Sequence, residues 1–257
     1  MAKHIIHPIP LLQLFRSIHD QIYRVGAYVG QVAADTVYVW YIEGPKQNIV
    51  VDSGMSAEML KKANVPGLSP GAIHIQTLEQ GLGKYGLKPE DIDLVIQTHC
   101  HIDHIPLAPK FRNAKFLVQQ AELEYHRNPP PAAVDPRPCP EEFLDTLNWE
   151  PVNGDYTVEE GVRVLFTPGH TPGGQSVVVD TAKGKAIIDS LCTTDLNWDV
   201  PASLADRMEV LNITIHNDPV QAYENLIKIK NMADIKVPNH EPRFSWIDSI
   251  PDEIANT

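Results

Sequence analysis

The segment QTHCHIDHIPLA, residues 97–108, places three histidines and an aspartate within six consecutive positions. Imidazole and carboxylate groups are common metal ligands, and burying such a cluster without a cation is costly. His99 and His101 are two residues apart, so on an extended or tightly turning segment they share a face and can approach one ion. Asp103 and His104 follow on the turn and point elsewhere, which favours a second ion. The spacing H-x-H-x-D-H therefore predicts a metal site rather than an ordinary polar loop.

Three further candidate ligands stand where other predicted strands end. His170 lies in the loop FTPGHTPGG, in which glycines such as Gly169 and Gly173 permit a tight backbone and prolines stiffen it. Asp189 ends the apolar run KAIID, where a lone carboxylate would be costly without a partner. His240 follows a short apolar run in KVPNH. Each signal is weak alone, but together with the first cluster they give seven ligands at strand-to-loop junctions.

The candidate ligands indicate how many ions bind more clearly than they indicate which metal binds. Seven ligands exceed the four that zinc prefers, so we expect two divalent metal ions. Imidazole and carboxylate suit zinc, and they also suit iron (Fe), manganese (Mn) and cobalt (Co). Zinc is therefore the default expectation.

The predicted elements that position these residues alternate between strands and helices. Strands are predicted over residues 36–42, 48–51, 92–98, 115–118, 162–166, 176–180, 185–188 and 235–237, and helices over 77–85, 121–126 and 219–232. Since strands dominate both halves and helices are interleaved, the pattern predicts α/β layers around a sheet core. We expect a single domain over residues 1–257.

Two segments do not follow this strand and helix pattern. Residues 128–140 contain six prolines, which exclude a helix or the interior of a sheet and predict a loop that borders a substrate pocket. Residues 1–30 are apolar without the alternation of a strand. They are expected to form an N-terminal arm that packs against a second subunit in a homo-oligomer, such as a dimer.

The composition excludes several classes of function. The 257 residues carry a formal net charge of −12, which argues against binding nucleic acid or an anionic membrane surface. Three cysteines are too few and too scattered for a disulfide framework, so a reduced, cytoplasmic setting is expected. The chain shows no signal-peptide pattern and no run of 18 apolar residues for a membrane helix. A small-molecule substrate is the expected partner.

Taken in order, the H-x-H-x-D-H motif, a histidine in a TPGH loop, an aspartate and a final histidine resemble the metallo-β-lactamase superfamily. The resemblance covers residues 37–240 and implies an αββα sandwich, in which two mixed β-sheets are flanked by helices and the metals lie at one edge. The sequence IVVDSG at residues 49–54 resembles an early strand and turn of that fold. By this resemblance, Asp52 would orient a ligand histidine, as metal sites commonly require.

The resemblance also assigns the ligands and the chemistry. It implies a first metal on His99, His101 and His170, a second on Asp103, His104 and His240, and Asp189 as the bridge between them. The implied activity is that of a metal-dependent hydrolase, in which a hydroxide shared by two ions attacks a lactone, ester or amide carbonyl. Asp103 would be catalytic as well, accepting the proton and passing it to the leaving atom.

Length and layout are most similar to the N-acyl homoserine lactonase branch of this superfamily. That branch carries a tyrosine three positions after the bridging aspartate, and here the position is Cys192. A thiol is a poor hydrogen-bond donor, so we expect weak hydrolysis of acyl-homoserine lactones, with Tyr28 or Asn197 as substitute donors. An amide, a thioester or another cyclic ester remains open as the substrate.

Aromatic side chains in loops around the metal edge would favour a cyclic or aromatic substrate. The candidates are Tyr28, Tyr125, Phe143, Trp149, Trp198 and Trp246. Cys100 stands between two ligands, but side-chain alternation turns it away from them, so it is expected to be a small buried residue.

Two other classes of protein with this fold fit the sequence less well. Di-iron redox members carry Glu where this chain has His101, and non-catalytic members lose ligands that this chain keeps.

Overall fold

The structure is a computed structural model that describes residues 3–22, 28–44, 46–63, 71–129 and 139–252. Most of the predicted loop 128–140 lies outside the described residues. The strands are β1 (Ile5–Ser17), β2 (Val32–Glu43), β3 (Ile49–Val51), β4 (Ile73–His74), β5 (Leu94–Ile96), β6 (Lys115–Gln119), β7 (Trp149–Val152), β8 (Tyr156–Glu159), β9 (Val162–Phe166), β10 (Gln175–Thr181), β11 (Gly184–Ile188) and β12 (Ile235–Val237). The α-helices are α1 (Ala57–Ala63), α2 (Leu78–Gly83), α3 (Gln120–Arg127), α4 (Glu141–Thr146) and α5 (Pro219–Met232).

The strands form two mixed sheets that pack face to face. The first sheet has the order β4-β1-β2-β3-β5-β6-β7, and the second has the order β12-β11-β10-β9-β8. The core between them consists of apolar side chains from both sheets, among them Trp40, Ile96, Val177 and Ile188. β3, β5 and β6 are buried central strands joined in parallel, and they therefore read as largely apolar runs.

Helices cover the outer face of each sheet. Leu60, Leu82 and Leu123, from α1, α2 and α3, pack on the first sheet. The second sheet is covered by α5, whose Ala222, Leu226 and Ile229 recur at a helical spacing and form one apolar face. The predicted αββα sandwich is therefore confirmed. Within the described part of the chain, no helix is long and apolar enough to cross a membrane.

The expected N-terminal arm is wrong, because residues 5–17 are the long strand β1, paired along its length with β2. Nine of its thirteen residues are buried, including the consecutive run 6–12, so the polar–apolar alternation that marks a half-exposed strand is missing there. Pro8 and Pro10 are tolerated since, among the described residues, the other edge of β1 pairs with β4 at Leu12 and Gln13 and with Ile250 at Ile6, but with no strand at the two prolines. The argument for a dimer formed through an arm is thereby removed.

Trp40 joins the core between the sheets to the edge where the metal-site loops lie. It is fully buried, and its indole Nε1 donates a hydrogen bond of 2.9 Å to Oδ1 of Asn239. Trp198 is also buried, on the outer face of the second sheet, but its Nε1 has no hydrogen-bond partner among the described residues. The two indoles thus differ in one polar contact.

We predict that Trp40→Phe lowers the free energy of unfolding by about 1–3 kcal/mol more than Trp198→Phe does, since only the first leaves a buried acceptor unpaired. Chemical denaturation of both variants measures this difference, and the matched loss of ring size in Trp198→Phe is the control. Equal destabilisation would show that the Trp40–Asn239 hydrogen bond contributes nothing.

Candidate metal centre

The site is built where five strands end at the same edge of the sandwich. In the first sheet, β3 and β5 are parallel, and they deliver Asp52 and the segment 97–104. In the second sheet, β9, β11 and β12 run in one direction, since β10 is antiparallel to both β9 and β11 and β12 is parallel to β11. Their carboxyl ends lead to His170, Asp189 and His240.

The side chains predicted to bind the first metal lie together. His99, His101 and His170 each offer a ring nitrogen, and these three atoms lie within 4.8 Å of one another. All three residues are buried, and the rings of His101 and His170 are perpendicular with their centroids 4.6 Å apart. Such a trio can hold one divalent ion.

The side chains predicted to bind the second metal also lie together, next to the first group. Asp103, His104 and His240 offer donor atoms within 4.8 Å of one another. A carboxylate oxygen of Asp103 lies 3.7 Å from Nε2 of His104 and 3.8 Å from Nε2 of His240. The ring centroids of His99 and His104 are 4.0 Å apart, so the two groups are adjacent. The geometry fits two neighbouring ions.

Hydrogen bonds at the outer nitrogen of His170 and His240 fix which nitrogen of each ring faces the centre. Nδ1 of His170 donates to the carbonyl of Ile215 at 2.7 Å, and Nδ1 of His240 donates to the carbonyl of Thr36 at 3.1 Å. A carbonyl only accepts, so Nδ1 carries the proton, and Nε2 of a neutral ring then keeps its lone pair for a metal. This arrangement is the usual way in which proteins orient histidine ligands.

Burial and neighbouring charges set the protonation of the cluster. Burial, together with the nearby imidazoles of His104 and His170, holds the pKa of His99 well below its usual range. Burial acts in the same direction on His104, but the carboxylates of Asp103 and Asp52 outweigh it and raise the pKa of His104. A neutral His99 is the form that binds metal, since only a deprotonated imidazole nitrogen can coordinate.

Asp52 lies where the resemblance places it, behind a candidate ligand. Its Oδ2 is 2.8 Å from Nδ1 of His104 and accepts a weaker hydrogen bond from the Asn239 amide at 3.3 Å. Its Oδ1 accepts from the backbone N–H of Thr98 at 2.8 Å and from the Gln97 amide at 3.1 Å. One fully buried carboxylate therefore orients His104 and ties the metal-site loop to the end of β3.

Asp35 and Arg16 form a buried ion pair next to His240 that the sequence did not reveal. The Asp35 carboxylate lies 3.1 Å from Nδ1 of His240 and pairs with the guanidinium of Arg16. Asp35 is fully buried and Arg16 nearly so. Neither residue belongs to a motif. The only sign in the sequence was a carboxylate two positions before the apolar residues 37–42 of β2.

Glu122, on α3, holds two metal-site loops together, and it too was missed. Its Oε1 accepts a hydrogen bond from the backbone N–H of Cys100 at 2.8 Å, and its Oε2 accepts from that of Gly173 at 3.1 Å. Burial acts to raise the pKa of this carboxyl, but the hydrogen bond and charge of His126, together with hydrogen bonds from Thr171 and Cys100, outweigh it and the pKa is lowered. A Cβ at position 173 would lie 2.2 Å from the Glu122 nitrogen, which explains the glycine.

Asp189 and Cys192 lie on one turn beside the two groups. The carboxylate of Asp189 accepts hydrogen bonds from the backbone N–H of Leu191 at 2.8 Å and from the hydroxyl of Thr193 at 2.6 Å. It is not part of the donor groups found among the described residues, so its bridging role stays a prediction. Cys192 does belong to such a group, with His99 and His104.

The predicted substrate residues are only partly near the centre. Tyr125 is buried, and its hydroxyl is 3.4 Å from Nδ2 of Asn217, which also donates to the carbonyl of His170. Tyr28 packs against a small apolar cluster that contains Ile22 and Leu211. Cys100 is fully buried in the core under the first sheet, as predicted.

Of the other predicted pocket residues, four have contacts within the protein and one is exposed. Trp149 and Phe143 pack on the core at the outer face of the first sheet. There Trp149 packs edge-on against Phe116, and its indole donates to the carbonyl of Phe143. Trp198 packs in the core under α5. Asn197 is buried, its amide nitrogen donates to the carbonyl of Leu211, and its amide oxygen accepts from the backbone N–H of Thr194. Trp246 is 81% exposed.

The family profile of the metallo-beta-lactamase superfamily matches residues 32–196. The fold, the order of the candidate ligands and this match together define the class, and the chain belongs to the metallo-beta-lactamase superfamily. Among curated proteins it is similar to an N-acyl homoserine lactonase of Bacillus cereus, 31% identical over 159 residues, or 59% of this chain. The aligned segment spans 61% of that relative's length, less than two thirds. A lactonase of Bacillus thuringiensis is 29% identical, covering 79% of this chain and 78% of its own.

Solved structures of lactonases share the fold. A variant of AiiA from B. thuringiensis with N-decanoyl-L-homoserine bound at its active site superposes with a TM-score of 0.74. The two sequences are 22% identical, and the superposition covers 96% of each chain. AidC, a dizinc quorum-quenching lactonase, gives a TM-score of 0.66 at 15% identity, covering 97% of this chain and 90% of its own. At these identities the likeness establishes the fold.

We predict that Glu122→Gln lowers the thermal stability and weakens metal binding. An amide nitrogen cannot accept a hydrogen bond, so one backbone N–H is left buried and unpaired, at a cost of about 1–3 kcal/mol. Glu124→Gln, an exposed change on the same helix, is the control and should stay within about 0.5 kcal/mol of the parent. Thermal unfolding and zinc titration of both variants test this, and matching results for the pair would contradict it.

Proposed function

We propose that this protein is a dinuclear metal-dependent hydrolase that opens a cyclic ester, and that zinc is its metal. The observation that carries the proposal is the pair of adjacent donor groups, one of three histidines and one of two histidines with an aspartate. Both groups are buried at the carboxyl ends of strands, where rigid elements position them. The names of the curated relatives, N-acyl homoserine lactonases, support a lactone as the substrate class.

The candidate ligands divide between the two ions as the donor groups do. His99, His101 and His170 would hold one ion, Asp103, His104 and His240 the other, and Asp189 remains the proposed bridge. Two bound divalent ions would supply Lewis acidity toward a carbonyl oxygen and would lower the pKa of a water. The imidazole and carboxylate donors suit zinc.

Asp103 is the proposed proton carrier. Its carboxylate faces Nε2 of both His104 and His240, and the residue is 6% exposed. Asp103 therefore lies next to the proposed metal ions and is in part accessible to solvent. From this position it can accept a proton from the attacking water and return it to the alkoxide that leaves the opened ring. Asp52 and Asp35 hold His104 and His240 in place from behind and take no proton in this scheme.

The side chains around the centre favour lactones other than acyl-homoserine lactones. The position after the Asp189 turn where the lactonase branch carries tyrosine is Cys192, and the amide of Asn197 is engaged in the protein. A well-placed donor to a developing oxyanion is typically worth about 2.7–4 kcal/mol, or roughly a hundred- to a thousandfold in rate. Without it, ring opening of acyl-homoserine lactones is expected to be slow.

The proposal is tested by a hydrolysis panel with the zinc-loaded protein. The panel contains short- and long-chain acyl-homoserine lactones, simple γ- and δ-lactones, an aryl ester, an anilide and a thioester, each followed by release of acid. We expect lactone opening that is abolished by a chelator and restored by zinc, with simple lactones turned over faster than acyl-homoserine lactones. Asp103→Asn should retain most of the zinc and lose at least about a hundredfold in rate.

Two results would contradict the proposal. Hydrolysis that persists after the metal is removed would place the chemistry elsewhere, and preferential cleavage of the anilide or the thioester would replace the lactone as substrate. Lys183→Gln, an exposed change in the turn between β10 and β11, at the end of β11 opposite to Asp189, is the control for handling losses during metal removal and reloading.

A further inference from the structure

We propose that the sulfur of Cys192 is itself a ligand of the metal centre and lies between the two histidine groups as a thiolate. The inference rests on the metal binding proposed above, but it does not depend on the substrate. It assigns to Cys192 a role different from that of a poor replacement for a hydrogen-bonding tyrosine.

The distance from the sulfur to each of three rings is close to that expected between two ligands that share an ion. Sγ of Cys192 lies 3.2 Å from Nε2 of His170, 3.6 Å from Nε2 of His99 and 3.7 Å from Nε2 of His104. Zinc binds imidazole nitrogen at about 2.0–2.1 Å and thiolate sulfur at about 2.3 Å, so tetrahedral neighbours are separated by roughly 3.6 Å. His99 and His170 belong to the first group and His104 to the second, so the sulfur faces both.

The backbone is held in a conformation that aims the sulfur at the histidines. Cys192 has a φ of 55°, in the left-handed region that a residue with a Cβ seldom adopts. The Asp189 carboxylate stabilises this turn by accepting from the N–H of Leu191 and the hydroxyl of Thr193, the residues on either side of Cys192. A strained residue persists only where its surroundings determine it, and such residues cluster at functional sites.

A second observation points to a cation at the same place. Nε2 of His240 is buried, and within the described residues it has no hydrogen-bond partner. Its ring is fixed from behind by the carbonyl of Thr36, so Nε2 is directed toward the Asp103 carboxylate, 3.8 Å away. A buried nitrogen in that position requires a partner, and a metal ion supplies one.

The chemistry of binding balances without a further reactant. When the ion binds, the S–H bond of Cys192 breaks, the proton leaves to solvent and a sulfur–metal bond forms. A thiolate is a soft ligand, so it favours zinc over manganese or magnesium, which prefer oxygen donors. The sulfur thus adds a preference among metals that the imidazoles and carboxylates do not impose.

Cobalt(II) is the direct probe, because a thiolate–cobalt bond gives an intense charge-transfer absorption in the near ultraviolet that nitrogen and oxygen ligands do not give. We expect the cobalt-loaded protein to show this band and Cys192→Ser to lose it while keeping at least one bound cobalt. Cys139→Ser, which removes a buried thiol outside the donor groups that contain Cys192, is the matched control and should keep the band.

X-ray absorption of the zinc-loaded parent protein gives a second readout that needs no variant. A sulfur shell at about 2.3 Å is expected. Cobalt or zinc bound with no sulfur signature would overturn the ligand role of Cys192 and leave the proposed hydrolase intact. Failure to bind either metal would overturn both, so the two failures are distinguishable.

Discussion

Five buried imidazoles converge on one small space, and that convergence is the constraint on which the structure depends. The rings of His99, His101, His104, His170 and His240 are each no more than 2% exposed. Without a cation, their inward-facing nitrogens would be desolvated and would repel one another. With one, the same nitrogens would become ligands, so a bound ion would stabilise an arrangement that the fold already holds in place.

The sandwich meets this constraint by ending strands from both sheets at one edge and by anchoring the rings from outside. Asp52 fixes His104, and Asp35 with the carbonyl of Thr36 fixes His240. Glu122 joins the loop of the first cluster to the loop of His170 through two backbone N–H groups. These carboxylates take no part in the proposed reaction. They hold the metal-site loops and rings in position before any ion binds, and such contacts raise metal affinity and activity.

The sequence was sufficient to predict those features that depend on residues close together in the chain. The helix over 219–232 was found at its observed bounds, because Asp218 caps it and Pro219 begins it. The candidate ligands were found because their types and order form a specific pattern. Strand β1 was missed, since burial on both faces removes alternation. Asp35 and Glu122 were missed because the metal-site groups that they hold, His240 and the backbone of Cys100, are more than twenty residues away, and no local pattern reports such contacts.

The central claim is that the two donor groups hold two ions, and counting and locating zinc tests it most directly. The zinc-loaded protein should contain two equivalents by elemental analysis. Anomalous diffraction at the zinc edge should give two peaks, one on His101 and His170 and the other on Asp103 and His240. One peak, or one equivalent that does not rise when zinc is added, would contradict the dinuclear account.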